Sequence, residues 1–130
     1  MAHISFASQP VSIGPDFAFY LSNDSVWCSG NDSCGALGLG NIIHTNGKAQ
    51  LVETLRDKKI TFVECGQGHT ILLDYEGGVW GCGWNECGQL GLGQPKLGEG
   101  IYQPKIPEKI PGLPKIAVAQ AGGTHTLFLD

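Results

Sequence analysis

The chain has 130 residues, a length that predicts one ordinary domain. Its net charge is −4 and it has a single arginine, Arg56, so no basic surface for nucleic acid is expected. No run approaches the ~20 apolar residues that span a bilayer, and the N-terminus lacks the pattern of a secretory signal. We therefore expect a cytoplasmic or nuclear protein without a membrane segment. The 20 glycines and 7 prolines separate short apolar runs, which is typical of an all-β chain with tight turns.

The first half of the chain predicts a set of four short strands. A further edge strand is a candidate within residues 1–9. The predicted strands then lie at 10–13, 17–21, 26–29 and 49–52, with a turn at Asn23-Asp24 and a long glycine-rich loop over 30–46. Leu37 and Leu39 are expected to fold back and anchor that loop. Residues 55–59 are predicted to form a charged, solvated turn.

The second half predicts the same arrangement again. Its strands lie at 60–65, 70–74, 79–83 and 105–110, with a turn at Glu76-Gly77-Gly78 and a loop over 84–102, and two more strands follow at 116–121 and 126–129. The strand at 105–110 lies among prolines, which cannot donate to a β-ladder, so it is predicted to be either an edge strand or an irregular one.

An internal repeat accounts for this similarity. Residues 16–40 align without a gap beneath 69–93 at an offset of 53, which places Trp27 on Trp80 and Gly30 on Gly83. A third, incomplete copy at 121–130 matches 65–74 at an offset of 56, with His125 on His69. A period near 50 residues with short strands indicates propeller blades. The predicted units are an N-terminal extension at 1–9, a first blade at 10–59, a second blade at 60–115 and the first two strands of a third blade at 116–130.

Gly-His-Thr at 68–70, followed about 18 residues later by Gly-Gln-Leu-Gly-Leu-Gly, resembles the repeat of the regulator of chromosome condensation family. The resemblance implies an all-β, partial β-propeller made of four-stranded antiparallel blades. The first copy departs from the pattern, with Asp16-Phe17 in place of the His-Thr pair and Ala36 in place of Gln89.

Two blades and a fraction cannot close a ring within one chain, since propellers have four to eight blades. Three interpretations stay open: a piece of a longer protein, a small protein that completes a ring by self-association, and an open stack of sheets. The C-terminal hairpin at 126–130 has a bare strand edge, which favours pairing with another chain. We predict oligomerisation or strand exchange through this edge.

Residues that recur in the repeat are interpreted as structural. They are Trp27, Gly30, Gly35, Gly38, Gly40, His69, Trp80, Gly83, Gly88, Gly91, Gly93 and His125. His69→Ala is expected to lower stability by roughly 1–3 kcal/mol, because a buried partner would lose its hydrogen bond. Trp84 has no counterpart in the first copy and is the candidate recognition aromatic, with burial under its own loop as the alternative.

The cysteines do not predict a metal site. Cys28 with Cys34 and Cys82 with Cys87 are spaced more widely than most structural zinc pairs, and five cysteines cannot all pair in disulfides. We therefore interpret the cysteines as thiols packed in the core. The Gly-Leu-Gly runs are followed neither by Gly-Lys-Ser/Thr nor by a helix, so we expect no phosphate site and no cofactor.

The sequence holds no nucleophile–base set or paired carboxylates at a meaningful spacing, so no catalytic residue is assigned. The leading hypothesis is a non-catalytic protein–protein interaction or scaffold module. The alternative, implied by the resemblance, is part of a guanine-nucleotide exchange factor for a small GTPase.

Overall fold

The computed structural model describes residues 10–22, 25–31, 35–40, 45, 47–84, 90, 104–116, 118–122 and 126–129. Within these ranges the chain forms three antiparallel sheets and one short 3-10 turn, Glu53–Leu55. None of the described residues belongs to a helix long and apolar enough to cross a membrane. The predicted strand within 1–9 and the predicted turn at Asn23-Asp24 lie outside the described residues.

The first sheet contains four strands that follow one another in space as in sequence. They are β1 (Val11–Ile13), β2 (Phe17–Ser22), β3 (Ser25–Gly30) and β4 (Gln50–Leu51). The predicted inner and outer strands are thereby confirmed. Phe17 and Phe19 alternate with Ala18 and Tyr20 along β2, so the two pairs lie on opposite faces of the sheet. Only the phenylalanine face is fully buried.

The second sheet repeats this order. Its strands are β5 (Ile60–Cys65), β6 (His69–Asp74), β7 (Val79–Gly83) and β8 (Glu108–Lys109). β8 lies at the sheet edge between Pro107 and Pro111, as the proline pattern predicted. The expectation of a fully solvated turn at 55–59 is wrong for Leu55. That side chain is buried in the core between the first and second sheets, because the 3-10 turn folds it inward.

The third sheet contains β9 (Val118–Ala121) and β10 (Thr126–Leu129). The strands β1, β5 and β9 lie beside one another, each at the inner edge of its own sheet. Successive sheets therefore fan out around a common inner edge, which is the arrangement of blades in a propeller. The described residues cover two four-stranded sheets and a two-stranded one, so the propeller is partial.

Two apolar cores lie between successive sheets. The core between the first and second sheets comprises Phe17, Phe19, Val26, Cys28, Ala36, Leu37, Val52, Leu55, Ile60, Val63, Cys65 and Leu72. The core on the other side of the second sheet, toward the third, comprises Phe62, Ile71, Leu73, Val79, Leu90, Ile110, Ile116 and Ala119. Leu39 packs against the first of these cores, so the predicted anchoring by Leu37 and Leu39 is confirmed. The sheets are held together mainly by burial of these side chains.

The strand register corrects the ungapped alignment of the first two copies. Phe17 pairs with Gly30, and His69 pairs with Gly83, so Phe17 occupies the position of His69 at an offset of 52. The offset of 53 holds for the following strands, where Trp27 matches Trp80. The interpretation that Asp16-Phe17 replaces His69-Thr70 is therefore wrong. Phe17-Ala18 takes that place.

The length of the hairpin turn explains this one-residue difference. In the first sheet the last pair before the turn is Ser22 with Ser25, which leaves a two-residue loop. In the second sheet the backbone N–H of Asp74 donates to the carbonyl of Gly78, which leaves a three-residue loop, and Gly77 in that loop has a positive φ of 84°. The register of the third sheet, Ala121 with Thr126, agrees with the offset of 56.

Candidate interaction surfaces

The junction of the first two sheets is closed by polar contacts as well as apolar ones. The hydroxyl of Thr70 donates to the carbonyl oxygen of Ala36 at 2.8 Å, and the Cys82 thiol approaches the same oxygen at 3.4 Å. The Cys28 thiol donates to the carbonyl of Leu37 at 3.4 Å. The loop after β3 is thus bonded to both sheets, which makes the junction rigid.

His69 joins the second sheet to the third. Its side chain is fully buried, and Nε2 lies 3.0 Å from Oγ1 of Thr126 on β10. Gly66 makes room for the ring, since a Cβ there would lie 2.3 Å from the imidazole Cε1. The position of His69 fits the structural role that we propose for it. Its repeat equivalent His125 lies outside the described residues.

Gly30 and Gly83 end β3 and β7 in equivalent conformations, with φ of 123° and 102°. A Cβ at Gly83 would lie 2.5 Å from the carbonyl oxygen of Gly68, and one at Gly30 would lie 2.2 Å from that of Asp16. Only glycine accommodates both the backbone angle and this close approach. Gly35, Gly38 and Gly40 also have positive φ, whereas Gly88, Gly91 and Gly93 lie outside the described residues.

Trp27 and Trp80 hold the same register position in β3 and β7 but have different surroundings. Trp80 packs against the core between the first two sheets, and its indole N–H donates to Asp74 Oδ2 at 3.0 Å. The ammonium group of Lys58 lies 5.1 Å from the centre of its ring. Trp27 instead stacks on Tyr20, with ring centres 6.4 Å apart and planes 10° apart.

The stacked pair belongs to the face of the first sheet that points away from the second sheet. Tyr20, Ser22, Ser25 and Trp27 line a shallow groove of 320 Å³ on this face. Val11 is 55% exposed in the neighbouring strand β1. Sequence alignment alone missed this surface. The alternation of side chains along β2 could have indicated this surface, because it places Tyr20 on the face of the sheet away from Phe17 and Phe19.

A second recess lies at the inner edge of the sheets and has a volume of 260 Å³. Its lining is uncharged and comes from three equivalent turns, one from each sheet: Ile13, Gly14 and Pro15, then Cys65, Gly66 and Gln67, then Ala121 and Gly122. We call it the axial recess. Ile13 is 76% exposed at its rim, and Gln67 is also exposed. No sequence motif singled out these turns, because their side chains are ordinary and only the stacking brings them together.

Trp84, the candidate recognition aromatic, is half-buried. Its side chain covers Gly68, where an added Cβ would lie 3.2 Å from the tryptophan Cβ, and its backbone N–H donates to the Gly68 carbonyl at 2.7 Å. The described part of the surface offers other exposed apolar side chains, among them Ile106, which lines a 320 Å³ groove with Leu39 and Leu51. Trp84 remains a proposal for a contact residue.

Three cysteines, Cys28, Cys65 and Cys82, are buried in the core, and no group of metal-ligating side chains occurs among the described residues. Cys34 and Cys87 lie outside them. Burial raises the pKa of Cys28 to about 12, with a smaller contribution from Cys65. Burial also raises the pKa of Cys65 to about 11, against the opposing effect of a hydrogen bond from Ser12. These thiols are held protonated and pack as small apolar groups.

The raised thiol pKa values predict a loss of stability at alkaline pH. In the unfolded chain these thiols ionise near their ordinary pKa of 9.0, whereas the folded chain keeps them protonated up to about 11 or 12. Their contribution is therefore fully present below pH 9.0 and is lost as the pH rises toward 12. Urea unfolding at about pH 8 and about pH 10.5 measures this loss, since the first pH lies below the ordinary thiol pKa and the second lies above it. The double variant Cys28→Ala/Cys65→Ala should show a shallower pH dependence than the wild type, and an identical slope would contradict the prediction.

The fold and the repeat-equivalent junctions define a β-propeller repeat protein. A family model of the regulator of chromosome condensation (RCC1) repeat matches residues 23–73 and 76–129, and a second model of this repeat matches 60–89. The chain belongs to the RCC1-repeat family.

Curated relatives are much longer than this chain. It is 34% identical over 121 residues to the human probable E3 ubiquitin-protein ligase HERC6. That alignment covers 92% of this chain and 12% of the relative. It is 30% identical over 119 residues to the X-linked retinitis pigmentosa GTPase regulator of the dog, Canis lupus familiaris, with 90% and 12% covered. The chain thus spans about an eighth of the length of these relatives.

Solved structures show the same fold. Human WBSCR16 aligns over 100% of this chain and 32% of its own, with a TM-score of 0.78 and 22% identity. Yeast RCC1 (Prp20), in its complex with Kap60, aligns over 94% of this chain and 30% of its own, with a TM-score of 0.77 and 19% identity. At these identities the similarity establishes the partial β-propeller fold, and the chain corresponds to about a third of those propellers.

Proposed function

We propose that this protein is a non-catalytic protein-interaction module, a rigid propeller segment that presents loops and turns to a partner protein. The axial recess is the observation that carries the proposal. Three successive sheets each contribute one turn to it, so the stacked frame positions all of its walls together. A cofactor has no part in this proposal.

The chemistry of the axial recess favours a protein partner over a charged small molecule. None of its lining residues is ionisable apart from the buried Cys65 thiol, whose raised pKa keeps it neutral. The rim combines the exposed side chain of Ile13 with the amide of Gln67. An apolar anchor beside a neutral hydrogen-bonding group suits an uncharged peptide segment or loop.

Guanine-nucleotide exchange on a small GTPase is the second candidate. It is supported by the names of similar proteins: one curated relative is called a GTPase regulator, and a solved structure of yeast Prp20p is described with its binding properties to Gsp1p and histones. Exchange would act through a protein interface that displaces the nucleotide. It would not require a catalytic side chain.

An experiment with purified proteins separates the two candidates. We expect the chain to bind a partner protein, identified by affinity capture and then purified, without accelerating nucleotide release from any member of a GTPase panel. Gln67→Lys at the recess rim should raise the dissociation constant about tenfold, because it adds a charge to an uncharged contact. Gln120→Lys, the same change at an exposed position in β9, should leave the constant unchanged. Accelerated release would favour exchange, and equal effects of the two variants would remove the recess from the proposal.

Three further features belong to this proposal. A location in the cytoplasm or nucleus is also proposed, since the buried thiols Cys28 and Cys65 suit reducing conditions. The repeat units 10–59, 60–115 and 116–130 remain part of the proposal, with 1–9 as an N-terminal extension or edge strand. Self-association is also proposed, because β10 pairs with β9 on one side and no described strand pairs with its other edge.

A further inference from the structure

The outer edge of the first sheet is formed by β4, and the register of this strand shows which way its backbone points. The N–H of Val52 donates to the carbonyl of Val26 at 2.8 Å. Gln50 pairs with Cys28, two residues further along β3. Bonded and non-bonded pairs alternate in an antiparallel sheet, so these two pairs hold the bonds between the strands. Leu51 lies between them and therefore directs its N–H and C=O away from β3, where no described residue bonds either group.

The corresponding edge of the second sheet is protected against pairing with another strand. Lys109 of β8 has the position of Leu51, because the N–H of the next residue, Ile110, bonds β7 in the same way. Pro107 and Pro111 flank this strand and have no N–H to donate. A lysine and prolines at an edge discourage strand pairing. β4 has an apolar residue in place of the lysine and no proline two residues to either side of it.

Leu51 also lines the groove of 320 Å³ that includes Leu39 and Ile106. Ile106 belongs to the second sheet's outer segment, two residues before β8. That segment is attached to the loop after β3, since the N–H of Gly40 donates to the carbonyl of Lys105 at 2.9 Å. The groove thus lies between the outer edges of two described sheets. Successive sheets in this fold stack on faces, so sheets added by flanking repeats would not cover it.

We propose that this groove binds an extended segment of a partner protein, which adds to the first sheet as a further strand beside β4. Such a strand supplies hydrogen-bond partners for both backbone groups of Leu51, which a packed helix cannot do. Its apolar side chains contact Leu39 and Ile106. A basic residue of the segment pairs with Glu53, the one charged residue among those that line the groove.

Glu53 can accept that partner because its own ion pair is weak. Its carboxylate lies 3.7 Å from Arg56, and the two side chains are 67% and 69% exposed. The groove is a second contact for the interaction module, at the outer edge of the sheets, whereas the axial recess lies at the inner edge. The inference therefore rests on the proposed function.

Short random peptides displayed on phage are the probe, selected against the full chain and then synthesised. They should bind the wild type and Leu51→Val alike, because valine keeps the N–H and an apolar side chain. Leu51→Pro removes the N–H and should raise the dissociation constant about tenfold or more. β3 does not use that N–H, so proline suits this edge position, and melting temperatures check both folds. Glu53→Gln should raise the constant about threefold.

Methylation of the peptide backbone tests the pairing without altering the protein. In a paired strand every second N–H points at β4, so N-methylation should abolish binding at alternate positions and be tolerated at those between. Uniform tolerance would overturn the proposal. So would a selection that enriches no peptide, or peptides that bind Leu51→Pro as tightly as Leu51→Val.

Gln67→Lys at the axial recess separates failure of this inference from failure of the proposed function. The selected peptides should bind Gln67→Lys as they bind the wild type, because the recess and the groove share no residue. Peptides weakened by Gln67→Lys and unaffected by Leu51→Pro would overturn the strand-addition site and leave the interaction module in place. A dimer of the wild type that Leu51→Pro abolishes would identify a second copy as the occupant and would also overturn the proposal.

Discussion

Phe19→Ala is expected to lower the free energy of unfolding by about 3–5 kcal/mol. The Phe19 ring is completely buried in the core between the first two sheets, and it packs edge-on to Phe17 with ring centres 6.4 Å apart. Removing it leaves a cavity at a junction whose walls come from two sheets and a loop that is hydrogen-bonded in place. Such a site collapses poorly, so the cost should fall in the upper part of the range.

Chemical denaturation followed by tryptophan fluorescence measures the effect of Phe19→Ala. Tyr75→Ala is the control, since it also truncates an aromatic side chain, but at a largely exposed position in the β6–β7 turn. The control should change stability by no more than about 0.5 kcal/mol. If both variants lost the same amount, the junction between the sheets would not be the stabilising core.

His69→Ala is expected to cost about 3 kcal/mol, which combines a cavity with the loss of a hydrogen bond across two sheets. The imidazole Nε2 and the Thr126 hydroxyl are 3.0 Å apart, and the side chain is fully buried. Because His69 and Thr126 belong to different sheets, the loss should weaken the attachment of the β9–β10 hairpin first. Amide hydrogen exchange should therefore accelerate more in β10 than in β2.

Two matched variants separate packing from hydrogen bonding at this junction. His69→Phe copies the first sheet, where Phe17 occupies the same register position, and should recover most of the packing but not the hydrogen bond. Thr126→Val removes the hydroxyl and retains the shape. A double-mutant cycle between His69→Phe and Thr126→Val should give a coupling of about 0.5–1.5 kcal/mol. Zero coupling would show that the contact contributes nothing to stability.

Strand positions could be predicted from sequence because they depend on local patterns. The run His69–Asp74, the glycines that follow it and the prolines around Glu108 each limit the backbone locally. Most strands lie within a residue or two of their predicted place, whereas β8 is shorter than the predicted 105–110 and begins three residues later. The repeat was visible for the same reason. Trp27 and Trp80, with Gly30 and Gly83 three residues later, recur at a constant spacing because these positions have the same register in both sheets.

The exact alignment of β2 with β6 could not be read from the sequence. An ungapped comparison applied the offset of 53, which holds for β3 and β7, to β2 and β6 as well. The β6–β7 turn has one residue more than the β2–β3 turn, so the offset before the turn is 52. The role of Asp74 depends on the same turn. Its carboxylate accepts hydrogen bonds from the backbone N–H groups of Glu76 and Gly78 as well as from the Trp80 indole. Only the folded turn brings these three donors to one side chain.

The amino-acid sequence by itself determined the all-β class, the repeat and the family, because these follow from short-range alternation and from residues that recur at fixed spacing. The tertiary structure alone decided which face of each sheet is buried. Trp27 and Trp80 are identical residues at the same register position, yet only Trp80 packs against a core. The physical reason is that burial depends on the neighbouring sheet, and the axial recess does not exist until three sheets stack.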